Sequence, residues 1–134
     1  VLIAAMSPFV HFEFAKPGFV LFHLLAASLM MALIGVLAGV WADKFDQMAA
    51  ITNFVITPLS FLSGTFYSVD RLPEGWSFAA HINPFFYMID GIRYGMTGHA
   101  DGSVLAGVLV LGGVDLVLGI ACWMVLNRGW KLKA

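Results

Sequence analysis

The stretch FVLFHLLAASLMMALIGVLAGVWA, Phe19 to Ala42, runs 24 residues without an Asp, Glu, Lys or Arg. At about 1.5 Å of rise per residue, a hydrocarbon core of roughly 30 Å needs about 20 apolar residues, so this stretch is long enough to cross a bilayer as a helix. Val104 to Leu126 repeats the pattern, interrupted once by Asp115. The composition agrees: 60% of residues are hydrophobic and 11% charged, with a mean hydropathy of +0.90. A soluble domain of this size could not bury so much apolar surface. The chain is therefore expected to be an all-α, polytopic membrane protein.

Charge and reactive residues narrow the function classes. A net charge of −1 and seven scattered basic residues leave no footprint for nucleic acid. The single cysteine, Cys122, permits no intrachain disulfide. His11, His23, His81 and His99 lie 12 or more residues apart with no cysteine or carboxylate at ligand spacing, and read as structural or interfacial. No glycine-rich segment ends in Gly-Lys-Ser or Gly-Lys-Thr, so no phosphate-cradling loop is present.

Outward from the first span, Val1 to Val10 is an apolar run already in progress, too short to span alone and without the basic flank of a signal peptide. It reads as the end of an earlier span in a longer chain. A polar turn through Glu13, Lys16 and Pro17 leads into the 19–42 span. There Ser28, Ala32, Gly35 and Gly39 align along one face and predict a packing seam. A short charged loop, Asp43 to Asp46, precedes a third apolar stretch, Ile51 to Val69, rich in Ser and Thr. Pro58 removes a backbone donor and predicts a kink there. This helix should face protein or a cavity, its hydroxyls serving either interhelical hydrogen bonds or a substrate route.

The 70–103 segment is no simple loop. Pro73 can open a short helix that His81, Ile82 and Asn83 end. Asn83 then supplies an N-cap and Pro84 the first position of a second helix, which runs to Thr97 before Gly98. Its apolar face is predicted to be Phe85, Met88, Ile89, Ile92 and Met96, with Asp90 and Arg93 on another side. The pair can lie flat on the membrane or dip into it against protein. Trp76, Tyr67, Tyr87 and Tyr94 suit the headgroup zone and favour an interfacial position.

Arg128, Lys131 and Lys133 close the chain after the 104–126 span, so the 127–134 tail is assigned to the cytoplasm. Counting back, Asp43 to Asp46 is cytoplasmic and 70–103 external. Asp115, inside a span, should face the bundle interior. It is either a proton relay or substrate contact, or a hydrogen-bonding residue that fixes packing. Gly112, Gly119 and Cys122 share its face. No acid, base and nucleophile set can be assembled, so catalysis is not expected. Gly112 to Asp115 differs in order from the motif of intramembrane aspartyl proteases, and Ser63-Gly64 lacks an activating histidine.

Ile56 to Tyr67 (ITPLSFLSGTFY), followed by Leu72-Pro73 and then by Asn83, Pro84, Phe85, Tyr87, Asp90, Gly91, Arg93 and Tyr94, resembles the fifth helix and the external helical segment of the membrane subunits of type-2 ATP-binding cassette exporters. The resemblance implies the end of helix three to helix six of a six-helix permease in a bacterial inner membrane, with short external amphipathic or re-entrant helices before the last span. It implies that Lys44, Phe45, Asp46 and Gln47 approach a cytoplasmic ATPase subunit, which binds the ATP while this chain binds no cofactor, and that a second permease copy completes the path in the lipid. Substrate would be a polysaccharide, a lipid-linked glycan or a drug-like molecule, moved by alternating access. Thr57, Pro58, Ser60 and Ser63 are then candidates for path lining, and Asn83, Pro84 and Arg93 for an outer gate. Asp115 matches no motif of that family. The alternative is a non-transporting membrane scaffold or assembly subunit. An intramembrane enzyme would require a second ionisable residue facing Asp115.

Overall fold

The structure, a computed structural model, describes residues 15–64, 71 and 73–129, and these are all-helical, with no strand among them. Helix α1 is Pro17–Trp41, and α2 is Phe45–Ile51, continuing through a π-helical turn, Thr52–Ile56, into α3, Thr57–Phe61. The short helices α4, Glu74–Ile82, and α5, Pro84–Thr97, precede α6, Val104–Asn127. The 1–10 run, Tyr67 and the residues after Gly129 lie outside the described residues.

Two helices, α1 with 25 residues and α6 with 24, are long and apolar enough to cross a membrane. Their apolar stretches are only 22% and 11% buried. A core helix of a soluble protein would be mostly covered, whereas Leu25, Leu109, Leu116 and Trp123 stand well exposed here. Helices apolar all round belong in lipid or against other spans. The two run side by side in the same direction: Gly107 near the start of α6 faces His23 on α1, and further along Cys122 Sγ donates to the Leu33 carbonyl at 3.5 Å.

The helix predicted to begin at Ile51 begins at Phe45, so the expected charged loop of Asp43 to Asp46 is shorter. Lys44 is extended at the N-cap and Asp46 lies in the first turn, where the helix dipole favours an acid. Gln47 Oε1 accepts from the Asp43 backbone N–H at 2.6 Å, satisfying a donor that the turn would leave free. The helix runs on through Pro58 by way of a π-turn. The ladder widens ahead of it, and the Thr57 N–H bonds back to the Thr52 carbonyl, which the Thr57 hydroxyl also reaches at 2.9 Å.

α4 and α5 form a two-helix hairpin linked by Asn83 alone. α5 runs antiparallel to α1: Lys16 N–H bonds the Gly95 carbonyl at 2.8 Å, Gly95 lies against Val20 and Gly91 against His23. Continued toward its N-terminus, α5 brings Phe85 and Phe86 into one core cluster with Ala26, Met30 and Leu111. Met30 is 13 residues past Pro17, so the hairpin tip sits roughly 20 Å from the Lys16 end of the spans. α5 thus lies lengthwise against α1.

Two packing expectations change. The buried side of α5 is Phe85, Phe86, Tyr87, Asp90, Gly91 and Gly95; Met88, Ile89, Ile92 and Met96 of the predicted apolar face are half-buried. The predicted seam on α1 is not packed among the described residues, since a Cβ added at Gly35 or Gly39 would meet nothing within 4 Å. α1 instead buries Val20, His23, Ala26 and Met30. The small residues that permit close approach lie on the partner helices. A Cβ at Gly91 would fall 2.0 Å from His23 Cδ2, while one at Gly107 would find Tyr87 Cδ1 at 3.5 Å.

Gly91→Ala should therefore overpack the fully buried His23 and cost about 1–3 kcal/mol, read as a lower melting temperature of the purified protein in detergent. Gly107→Ala, an ordinary contact in a helix interior, should leave the melt unchanged. Adding His23→Ala to Gly91→Ala should recover part of the loss.

Candidate functional site

The site forms where the end of α3 meets the α4–α5 hairpin. α3 ends in a tight turn, with Leu62 N–H bonding Pro58 O at 3.0 Å and Ser63 N–H bonding Ser60 O at 3.3 Å. Ser63 would donate to Leu59 in a continuing helix, so the tighter turn releases the Leu59 carbonyl. Asn83 takes it: its Nδ2 donates to Leu59 O at 2.6 Å, while its Oδ1 caps α5 by accepting from the Phe85 N–H at 3.0 Å. With 3% of its surface exposed, this one amide closes two helix ends out of reach of water.

Arg93 performs the corresponding task two to three turns along α5. Its Nη2 donates to Gly64 O at 2.6 Å, the carbonyl of a residue held at φ 76°, where glycine is at home. Its Nη1 donates to Asp101 Oδ2 at 2.8 Å and lies 3.9 Å from Asp90 Oδ1. Asp90, 3% exposed, accepts the Asp101 N–H at 2.7 Å and the Gly102 N–H at 3.0 Å, just ahead of the Ser103 N-cap of α6. Asp90, Arg93 and Asp101 thus join three chain segments through charge-assisted bonds in a partly buried setting. His99 Nε2, 3.4 Å from Asp101 Oδ1, extends the cluster to solvent.

The predicted residues divide accordingly. Asn83 and Arg93 are brought together with the end of α3, and Pro84 opens α5 beside them. Ser60 and Ser63 lie at the same helix end, but their hydroxyls bond carbonyls of their own helix, Ser60 to Ile56 at 2.8 Å and Ser63 to Ser60. Thr57 bonds Thr52 and is exposed, as is Pro58. These are back-bonds to carbonyls of the same helix. Lys44, Phe45, Asp46 and Gln47 stand at the opposite end, with Phe45 86% exposed.

Two apolar grooves lie elsewhere, and neither is lined by the residues around Pro58 or Asn83. One of about 580 Å³ lies between the later turns of α1, α2 and α6, against Leu37, Trp41, Ile51 and Val125. The other, of about 490 Å³, holds Asp115 between Gly112 and Gly119, with Leu29, Ile120 and Trp123. Asp115 Oδ1 has no hydrogen-bond partner among the described residues. Asp101 and the Gly64 carbonyl were not singled out in the sequence. A backbone acceptor has no residue code, and Asp101 is eight positions from its cation, beyond the three- or four-residue spacing that marks pairs on one helix.

Among the described residues, two helices long and apolar enough to cross a membrane, with α5 fastened by Asn83 and Arg93 to the end of α3, are the marks of a polytopic membrane domain. Residues 1–97 match the family model described as ABC-2 type transporter, and the chain belongs to that family. It is 39% identical over 137 aligned residues to the inner membrane transport permease YadH of Escherichia coli (strain K12), covering 100% of this chain and 53% of that protein. It is 32% identical over 113 residues to nodulation protein J of Rhizobium leguminosarum bv. viciae, covering 82% of this chain and 42% of that protein. The chain thus spans about half the length of the curated relatives it matches. No solved structure matches it. The family and these relatives place the chain in a bacterial inner membrane.

Asn83→Ser keeps the cap oxygen but loses the donor to Leu59, and should cost about 1–3 kcal/mol for the buried carbonyl left bare. Asn83→Ala should cost about 1 kcal/mol more as the cap is also lost. Hydrogen exchange checks the split, because the Phe85 amide should accelerate markedly only in the alanine variant.

Proposed function

We propose that the full-length protein is the membrane subunit of an ATP-driven exporter, supplying the path while a separate ATP-binding cassette subunit supplies the energy. Membership of the ABC-2 type transporter family supports the transport class. The observation that carries the reading is the double latch of Asn83 on Leu59 and Arg93 on Gly64. It fastens the re-entrant hairpin to the helix weakened at Pro58, giving a body that can swing as one piece and open or close a route at the Lys16 end.

In this reading Arg128, Lys131 and Lys133 hold the C-terminus in the cytoplasm. The start of α2, Lys44 to Gln47, then lies on the same side and meets the ATPase through exposed Phe45. A second copy of the subunit completes the path within the lipid, ATP binds in the partner, and this chain binds no cofactor. The cargo is a polysaccharide, a lipid-linked glycan or a drug-like molecule. Thr57, Pro58 and the neighbouring serines border the route, and Asn83, Pro84 and Arg93 form its outer gate.

Co-purification of the full-length protein with candidate ATP-binding cassette partners in lipid nanodiscs, followed by vanadate-sensitive ATP hydrolysis, tests the reading. A stable, hydrolysing complex is the expected result. A folded, inserted protein that captures no such partner would instead be a scaffold or assembly subunit. Arg93→Ala and Pro58→Ala should each lower export at least about tenfold while leaving insertion intact, since a loss of about 1.4 kcal/mol of coupling gives that factor. Unchanged export in both would remove the gate assignment.

A further inference from the structure

The groove around Asp115 is the feature that the latch and the fold leave unexplained. Asp90 and Asp101 are bonded, yet Asp115, inside the membrane-crossing α6, has a buried Oδ1 with no partner among the described residues, a state it shares with His23 Nε2. An ionisable side chain at such depth is costly to keep and marks a functional position by default. Its surroundings are open: a Cβ added at Gly112 or Gly119, one turn to either side, would meet nothing within 4 Å. Leu29, Leu116, Ile120 and Trp123 complete an otherwise apolar wall around about 490 Å³ of space, a volume within the usual range for small-ligand sites.

The chemistry of that wall selects among ligands. One carboxylate and no other side-chain hydrogen-bonding group but the Trp123 indole would leave most hydroxyls of a sugar unsatisfied, at the expense that buried polar groups carry. A neutral acyl chain would fill the volume and leave Asp115 bare. A molecule with one positive centre and a hydrophobic, aromatic body satisfies both, because the cation supplies the missing partner and the body covers the leucine and isoleucine surface. Trp123, two turns beyond Asp115, lines the same groove and is 66% exposed, and an indole is the aromatic group that attracts such bodies and their charge best.

The geometry points to this groove as a binding site for a lipophilic organic cation, its charged centre at the Asp115 carboxylate and its apolar body along Leu116, Ile120 and Trp123. The site deepens the export reading by assigning a cargo class, and rests on that reading only for its physiological meaning.

Tetraphenylphosphonium and tetraphenylborate, alike in size and opposite in charge, are suitable probes. Their equilibrium binding is measured on the full-length protein in nanodiscs of neutral phospholipid, with empty discs subtracted. Saturable binding of the phosphonium alone is expected, weakened at least about tenfold by Asp115→Asn and similarly by Gly119→Leu, which keeps the carboxylate and fills the groove. Equal binding of both ions, no saturable binding, or unchanged affinity in either folded variant would overturn the site. Should Asp115→Asn fail to fold, Gly119→Leu reads the same groove. Because no ATPase is present, lost binding leaves the export reading standing, whereas retained binding without any ATPase partner removes export and keeps the site.

Discussion

A broken helix inside a membrane must find donors for the carbonyls it releases, and the arrangement of this protein follows from how two side chains meet that demand. The tight turn that ends α3 frees the Leu59 carbonyl. In water such a carbonyl would be solvated at no cost. Among apolar helices it must be satisfied by protein. Asn83 and Arg93 reach the end of α3 from α5, and their spacing fixes the register of the hairpin against it. The same Asn83 caps α5, so one side chain joins the start of α5 to the end of α3.

The hairpin also has to fit beside α1, and glycine decides how. Gly91 and Gly95 put a smooth backbone face on α5, against which His23 and Val20 of α1 pack. His23 is wholly buried, its Nδ1 on the Phe19 carbonyl at 2.9 Å and its ring stacked with Phe19 at 5.8 Å between centroids. Attraction between membrane helices comes from close packing and a few polar bonds, since lipid offers as apolar a surface as leucine does. A large knob on α1 and small residues on α5 and α6 meet that requirement. The glycines of α1 itself remain on an open side.

Polar groups in this protein are of two kinds. Asp90, Arg93 and Asp101 are mutually satisfied and hold segments together, as buried charge must when it serves structure. Asp115 is the contrary case, an acid beside two glycines with open space around it. Among the described residues its Oδ1 and His23 Nε2 are the buried side-chain atoms without a hydrogen-bond partner, and only the Asp115 atom faces a groove.

The local physics was legible in the sequence. Charge-free length marked α1 and α6, Asn83, Pro84 and Gly98 bounded α5 through capping preferences, and Pro58 announced a break, because each of these depends on residues within one or two turns. Tertiary structure alone decided which face of α5 is buried, how deep its tip lies, and that Asn83 and Arg93 donate to Leu59 and Gly64. Hydrophobic periodicity named Met88, Ile92 and Met96 as the inner face, but close approach to His23 required glycine and turned another side inward. Those choices depend on groups 24 and 29 positions apart, and on backbone oxygens common to every residue, so no local pattern in the chain could record them.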